Sequence, residues 1–279
     1  MTEPVFGLTR RRLLEAAGLS TLGGFLAACG ASSSGGEPGR VGNAPALTTP
    51  ATFDMSDAVV LRTMTSIEYL HVDLYQTVTE AGALDDRAQG LIGRFVEDHQ
   101  AAADELRALT EEAGGEPYGC TNDWYERRIV PPILEAVNGD PADDVAPSDE
   151  PANDLLRISY GFESMTAAAY QRMMELLAEP ALRPPLARIG AIAARHSAAV
   201  AMHLTGVPDG YVSPVVLGGE LTPDESGRAL LFAIPTRFGS LTATEIVVGV
   251  PNDAGTRPSF ALETPADNAY VYEDFTCDA

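Results

Sequence analysis

Residues 56–80 read SDAVVLRTMTSIEYLHVDLYQTVTE, and the spacing of their core-type side chains is the first indication of the fold class. These side chains alternate intervals of four and three residues: Val60, Met64, Ile67, His71, Leu74 and Val78. On an α-helix this spacing gives a single stripe along one face. The stretch is therefore predicted to be one long helix packed against other helices.

Three further stretches carry the same helical period. They are 85–112, which stops at Gly114-Gly115, 153–179, which ends before Pro180, and a stretch that begins after Pro184-Pro185 and runs to Gly206. The first two helices and the last two are joined by short connections, so each pair is predicted to form an antiparallel hairpin. The fold class is therefore mainly α, an antiparallel four-helix bundle over residues 54–205 with a long crossover, 116–152, between its hairpins.

The crossover is predicted to contain a short helix around residues 124–137, interrupted at Pro131-Pro132, and a solvated acidic loop from Asp140 to Pro151. After Gly206 the helical period disappears, and five short runs are typical of strands: Val212–Leu217, Ala229–Ile234, Glu245–Val250, Ser259–Leu262 and Ala269–Tyr272. These runs are too scattered for a second domain. Residues 206–279 are therefore predicted to be a β-containing extension that lies on the bundle.

The two hairpins repeat one arrangement of polar residues. Glu68 is followed seven residues later by Tyr75, and Glu163 is followed seven residues later by Tyr170, so each pair shares one helix face. His99 and His196 then follow on the second helix of each hairpin. A buried carboxylate is costly unless it is paired, protonated or bound to metal, although either glutamate could instead reach water at the edge of its stripe.

These residues resemble the ferritin-like superfamily, particularly its extracytoplasmic bacterial members. The resemblance lies in the motif Ile67-Glu68-Tyr69-Leu70, which runs on to Leu74-Tyr75, and in Arg195-His196 of the fourth helix. In that family two helices each supply one Glu, the other two each supply Glu-x-x-His, and the six residues bind two irons. The resemblance implies that Glu68, Glu163, His99 and His196 are metal ligands.

Two positions depart from the family pattern. Val96 and Ala193 stand three residues before the histidines, where the family has its bridging glutamates. His71, one turn after Glu68, partly compensates, whereas a shifted register with His99 in the glutamate position would lose a further ligand. The donor set therefore suits one Fe, Mn, Zn or Cu ion better than a di-iron pair.

Other residues near this group are assigned supporting roles. Tyr75 and Tyr170 are expected to hydrogen-bond the ligands. His203 lies two turns beyond His196 and is interpreted as structural. The methionines of the third and fourth helices are expected to fill the core: Met165, Met173, Met174 and Met202.

The N-terminus is predicted to be an export signal. Residues 9–14 read TRRRLL, and this stretch is similar to the twin-arginine signal that exports folded proteins. Leu26-Ala27-Ala28-Cys29 is similar to a lipobox, which implies cleavage after residue 28 and a lipid on Cys29. Residues 1–28 are then a signal peptide, 29–53 a flexible tether, and the protein a lipoprotein on the outer face of the cell membrane. The alternative is an ordinary secretory signal with a chance cysteine.

Two cysteines remain in the exported part of the chain. Cys120 and Cys277 are predicted to form a disulfide outside the reducing cytoplasm, the alternative being two unpaired thiols. The strand Ala269–Tyr272 just before Cys277 is expected to dock on the first hairpin or on the crossover. The disulfide would then hold the C-terminal segment against the middle of the chain.

The composition and the absence of several sequence motifs argue against some classes of function. The 279 residues include 18 basic residues, all Arg, against 40 acidic ones, so the net charge of −22 argues against a nucleic-acid partner. The chain also lacks a Gly-rich phosphate loop, a CxxC pair and a Gly-x-Ser-x-Gly elbow. Two functions stay open: a metal-binding bundle with a redox or metal-handling role, and a metal-free scaffold that acts as an envelope binding protein. The sequence specifies no reaction, protein partner or oligomeric state.

Overall fold

The computed structural model of the protein describes residues 55–206, 244–262 and 277. Four long helices dominate these residues: α1 (Asp57–Glu80), α2 (Asp86–Glu112), α5 (Pro151–Leu176) and α6 (Arg183–Thr205). The shorter elements are α3 (Asp123–Arg128), α4 (Val130–Asn138), a 3-10 turn (Pro180–Leu182), β1 (Thr244–Val247) and β2 (Ser259–Leu262). The prediction of a mainly α fold is confirmed.

Local sequence signals explain where the first hairpin begins and turns. The Ser56 hydroxyl accepts a hydrogen bond from the Val59 N–H at the start of α1, and the Asp85 carboxylate accepts one from the Ala88 N–H at the start of α2. These caps satisfy backbone donors that a helix start leaves unpaired. Both predicted helix starts are confirmed.

The second hairpin differs from the prediction at its turn. Helix α5 ends at Leu176 instead of residue 179 because Leu177 is already extended and Pro180 opens the 3-10 turn. Helix α6 begins at Arg183, so Pro184 and Pro185 lie in its first turn instead of preceding it. Proline is tolerated there because the first helical N–H groups have no partner within the helix.

The four long helices form the predicted bundle. Helix α1 packs along α2 and α5 packs along α6, while residues 113–150 connect the two hairpins as the crossover. The apolar core contains large side chains from both hairpins, among them Met64, Tyr75, Phe95, Phe162 and Met173. No helix in the described residues has the length and apolarity needed to cross a bilayer.

The crossover is broken at a different residue from the one predicted. Helices α3 and α4 are separated at Ile129, and Pro131 and Pro132 lie in the first turn of α4. The prolines therefore help to start a helix and do not interrupt one. The acidic loop after α4 is largely exposed, as predicted, and contains one short β-bridge between Asp140 and Val145.

Strands β1 and β2 form an antiparallel ladder in which Ile246 pairs with Phe260. The ladder packs on α5, where a Cβ at Gly161 would lie only 2.5 Å from Ile246 Cγ1. The buried Asp154 carboxylate also accepts a hydrogen bond of 2.7 Å from the Gly249 N–H. The predicted strand at 245–250 is shorter than expected, and that at 259–262 is confirmed.

The other predicted strands, 212–217, 229–234 and 269–272, lie outside the described residues, as do the predicted signal peptide, tether and Cys29. Cys120 of the crossover and Cys277 form the predicted disulfide, with 5.7 Å between their Cα atoms.

The expectation that Met202 fills the core is wrong, because this side chain lies on the outer side of the last turns of α6 and is 42% exposed. Met165 and Met173 are buried, and Met174 packs against the core.

Candidate metal centre

The structure brings all five predicted ligand residues together in the middle of the bundle. Helix α1 supplies Glu68 and His71, and α2, α5 and α6 supply His99, Glu163 and His196. A chain of close contacts joins four of them: Glu68 Oε2 lies 2.6 Å from His99 Nδ1, His99 Nε2 2.9 Å from Glu163 Oε1, and Glu163 Oε1 3.1 Å from His196 Nδ1. All five residues are buried. We call them the central cluster.

His71 completes the central cluster by stacking on His99. The two rings are parallel within 3°, with their centroids 4.1 Å apart. His71 Nε2 lies 2.7 Å from the Thr166 hydroxyl, while the buried Nδ1 has no hydrogen-bond partner among the described residues. When Nε2–H donates to Thr166, the lone pair of Nδ1 is left available to a ligand.

Glu163 is the most heavily used acceptor of the cluster. Its Oε1 contacts His99 and His196 and also accepts a 2.7 Å hydrogen bond from the Tyr75 hydroxyl. Its Oε2 is buried and has no partner in the described part of the chain. Buried polar atoms are normally satisfied, so Oε2 of Glu163 and Nδ1 of His71 call for a further binding partner.

The two tyrosines connect the hairpins crosswise. Tyr75 of α1 donates to Glu163 of α5, and Tyr170 of α5 donates to Glu68 of α1. Each tyrosine thus bonds the glutamate of the other hairpin, although sequence spacing pairs it with the glutamate of its own. Burial is the main cause that raises the pKa of both phenols well above the ordinary value for tyrosine, and the nearby carboxylates raise it further. Both hydroxyls therefore stay protonated and act as donors.

The electrostatics of the cluster centre on His99. Burial alone would lower the pKa of His99, but attraction to Glu163 and Glu68 outweighs burial and raises it to about 10. Burial would raise the pKa of Glu163, but His99 and the other nearby histidines hold it well below its usual range. Burial and the neighbouring His99 lower the pKa of His71. Without metal, His99 is therefore a cation between two carboxylates and His71 is neutral.

The arrangement can hold one small cation. His71, His99 and Glu163 can each offer a ligand atom within 4.8 Å of the other two, while Glu68 and His196 are each one hydrogen bond away. Val96 is half-buried against the core and Ala193 is buried, so neither position supplies a carboxylate. The residues present therefore fit one metal ion and not the carboxylate-bridged pair of the family pattern.

Two residues that contact the central cluster escaped prediction from the sequence. Thr166, which contacts His71, stands three residues after Glu163, just as His71 stands three residues after Glu68. The internal repeat therefore contained the signal for it. Asp98, whose Oδ2 lies 3.2 Å from His196 Nε2, is marked only by its place next to His99. His203, predicted to be structural, is half-buried in the last turn of α6.

The protein is thus a four-helix bundle in which all four long helices contribute to one buried group of glutamates and histidines. A family model described as the ferritin-like domain matches residues 56–206, just over half of the chain. The chain belongs to this ferritin-like family. No curated protein and no solved structure gives a significant match.

The close packing of Tyr170 predicts opposite effects at two repeat-related glycines. Gly93 and Gly190 each stand six residues before a cluster histidine, yet a Cβ at Gly190 would lie 2.6 Å from Tyr170 Cβ, whereas one at Gly93 meets nothing within 4 Å. Gly190→Ala is expected to lower the free energy of unfolding by about 1–3 kcal/mol through overpacking. Gly93→Ala is expected to raise it by up to about 1 kcal/mol through helix propensity. Urea unfolding measures both, and equal shifts would contradict the packing argument.

Proposed function

We propose that the protein is a lipid-anchored, extracytoplasmic ferritin-like protein that binds one transition metal ion in the central cluster and has a redox or metal-handling role. One observation carries the proposal: two unsatisfied atoms, Nδ1 of His71 and Oε2 of Glu163, lie buried in a cluster of carboxylates and imidazoles. Polar atoms in a core otherwise find a partner.

The donors favour a single ion. His71, His99 and Glu163 are the residues that would hold it, and Fe, Mn, Zn and Cu all accept imidazole and carboxylate ligands. A metal bound there supplies Lewis acidity and, for Fe, Mn or Cu, a change of oxidation state. Two carboxylates carry too little negative charge for a pair of such ions.

The surrounding residues prepare this donor set. Thr166 orients the His71 ring, and the tyrosine hydroxyls fix the carboxylates of Glu68 and Glu163. Such neighbouring hydrogen bonds set the orientation and basicity of metal ligands. Both glutamates and both tyrosines are buried, so their polar atoms are shielded from bulk water.

The proposed location rests on residues outside the described part of the chain. The resemblance of residues 9–14 to a twin-arginine signal and of residues 26–29 to a lipobox supports export and a lipid on Cys29. The disulfide between Cys120 and Cys277 supports it further, because such bonds persist where thiols are not kept reduced. The membrane is then a partner through the lipid alone, and the acidic charge continues to argue against nucleic acid.

The test is the metal content of the protein extracted with detergent from membranes of metal-replete cells. We expect about one equivalent of transition metal by mass spectrometry in the unsubstituted protein, and nearly none in Glu163→Gln. Glu111→Gln, on the exposed face of α2, is the matched control and should keep its metal. Less than about a tenth of an equivalent in the unsubstituted protein, even after reconstitution, would contradict metal binding. Recovery in the soluble fraction would contradict the anchor.

A metal-free scaffold is the second candidate, and one observation favours it. Protonated His99 lies between Glu68 and Glu163 and neutralises part of their charge without any metal. Because His99 already pairs both carboxylates, lower stability in a glutamine variant is expected for either function. Only a dependence on added metal separates them: metal should raise the melting temperature of the unsubstituted protein but not that of Glu163→Gln.

A further inference from the structure

One edge of the central cluster approaches solvent. Among the described residues, the side chains of Glu68, His99 and Glu163 are at most 3% exposed, whereas that of His196 is 7% exposed. His196 contacts Asp98, which is 21% exposed, and Asp98 contacts Arg94, which is 65% exposed. Exposure thus increases in steps from Glu163 to the surface of α2.

Hydrogen bonds and ion pairs follow the same direction. His196 lies between two carboxylates, with Nδ1 3.1 Å from Glu163 Oε1 and Nε2 3.2 Å from Asp98 Oδ2. The other oxygen of Asp98 is 2.5 Å from Arg94 Nη2, and Arg94 also pairs with Glu97 at 3.2 Å. The imidazole of His196 is therefore the bridge between a half-buried carboxylate and a fully buried one.

We propose that Asp98 and His196 form the route by which a divalent cation reaches the central cluster. Asp98 is the first carboxylate that the cation meets, and His196 passes the cation inward to Glu163 by exchange of ligands. This inference rests on the proposed metal-binding function, because a buried site needs an entry path.

Charges along this edge both favour and oppose the entry of a cation. A carboxylate near the surface raises the local concentration of cations. His196 offers an imidazole nitrogen toward either neighbour, and imidazole is a common metal ligand. Phe95 stacks on the His196 ring with centroids 3.8 Å apart and holds it between the two carboxylates. Arg94 opposes entry, because its positive charge lies against the Asp98 carboxylate.

The test measures how fast Co²⁺, added alone, enters the full-length metal-free protein in detergent. Uptake is followed by the visible absorption of Co²⁺ bound to nitrogen and oxygen ligands, and the final Co²⁺ content is measured by mass spectrometry. Asp98→Asn is expected to slow uptake roughly tenfold while leaving the final content unchanged. Asp104→Asn is the matched control, because it removes the same charge from the exposed face of α2, where the Asp104 carboxylate accepts a hydrogen bond from the Gln100 side chain.

A second variant is expected to change the rate of Co²⁺ uptake in the opposite direction. Arg94→Gln removes the charge that opposes entry and is expected to accelerate uptake several-fold, whereas Arg107→Gln, also exposed on α2, should not. If Asp98→Asn does not fold, the comparison of Arg94→Gln with Arg107→Gln still tests the proposed route.

Each outcome has a distinct meaning. The proposed route would be overturned if Asp98→Asn took up Co²⁺ as fast as Asp104→Asn, or if Arg94→Gln took it up no faster than Arg107→Gln. Either result would leave the proposed metal binding itself intact. A lower final Co²⁺ content in Asp98→Asn would make Asp98 a ligand of the site and would also overturn the route. No uptake by the unsubstituted protein would overturn the proposed metal binding itself, and the route with it.

Discussion

Replacing His99 with leucine is expected to lower the free energy of unfolding of the metal-free protein by about 3–5 kcal/mol. His99 contacts Glu68 and Glu163 with its two ring nitrogens, and all three residues are buried. The leucine would leave two buried carboxylates without the cation that lies between them. Urea unfolding in the presence of a chelator measures the effect.

Two further variants make this result specific. His203→Leu removes a half-buried histidine of α6 outside the cluster and is expected to change stability much less. His99→Gln keeps a hydrogen-bonding side chain but not the charge, so its stability should lie between those of the unsubstituted protein and His99→Leu. If His99→Leu were no less stable than His203→Leu, the pairing of His99 with the glutamates would not stabilise the fold.

The pH dependence of stability provides a check on the same residue. The pKa of His99 is raised from its ordinary 6.5 to about 10, so the folded protein binds a proton that the unfolded chain releases. This contribution to stability is complete below the unfolded pKa and is lost as pH rises toward the folded one. The free energy of unfolding of the metal-free protein is therefore expected to fall between about pH 6.5 and 10. His99→Leu should lack this part of the decrease.

Removing the disulfide with the double substitution Cys120→Ser and Cys277→Ser is expected to lower the free energy of unfolding by about 2–4 kcal/mol. The bond joins residues 157 apart in sequence, so it greatly restricts the unfolded chain. The entropy that the unfolded chain regains makes unfolding more favourable. Urea unfolding under non-reducing conditions measures the effect.

A reducing agent supplies the control for this prediction. It should lower the stability of the unsubstituted protein by a similar amount and leave the double variant unchanged. Equal stability of the two proteins without reductant would show that the disulfide does not stabilise the fold.

Local sequence predicts the four helices of the bundle well, but it predicts less accurately where helices end and begin at the turns. The four stripes, the caps Ser56 and Asp85 and the terminating Gly114 and Gly206 are signals within one or two helical turns, and the helices follow them. The sequence-based prediction is wrong for two pairs of prolines, because a proline that ends one helix and a proline that starts the next look alike in sequence. Which role it takes depends on how the neighbouring helices pack.

The internal repeat predicted which residues meet but not how they are paired. Glu68 and Tyr75 share a helix face, as do Glu163 and Tyr170, yet the hydrogen bonds run between the hairpins. Residues seven apart on a helix are about 10 Å apart along its axis, too far for a hydrogen bond between these side chains. Their partners must therefore come from the facing helix, which the sequence does not position.

The sequence was enough to predict the four helices and the missing carboxylates at Val96 and Ala193, because helical period and residue type are local properties. The five residues of the central cluster followed from the internal repeat together with the family resemblance. Three features depend on tertiary packing: His99 lies between two glutamates, Thr166 orients His71, and Asp98 extends the cluster toward solvent. Side chains 31 to 98 residues apart in the chain meet in these contacts. Their distances depend on how far each helix is shifted and rotated against its neighbours, and this is set by the packing of the whole core.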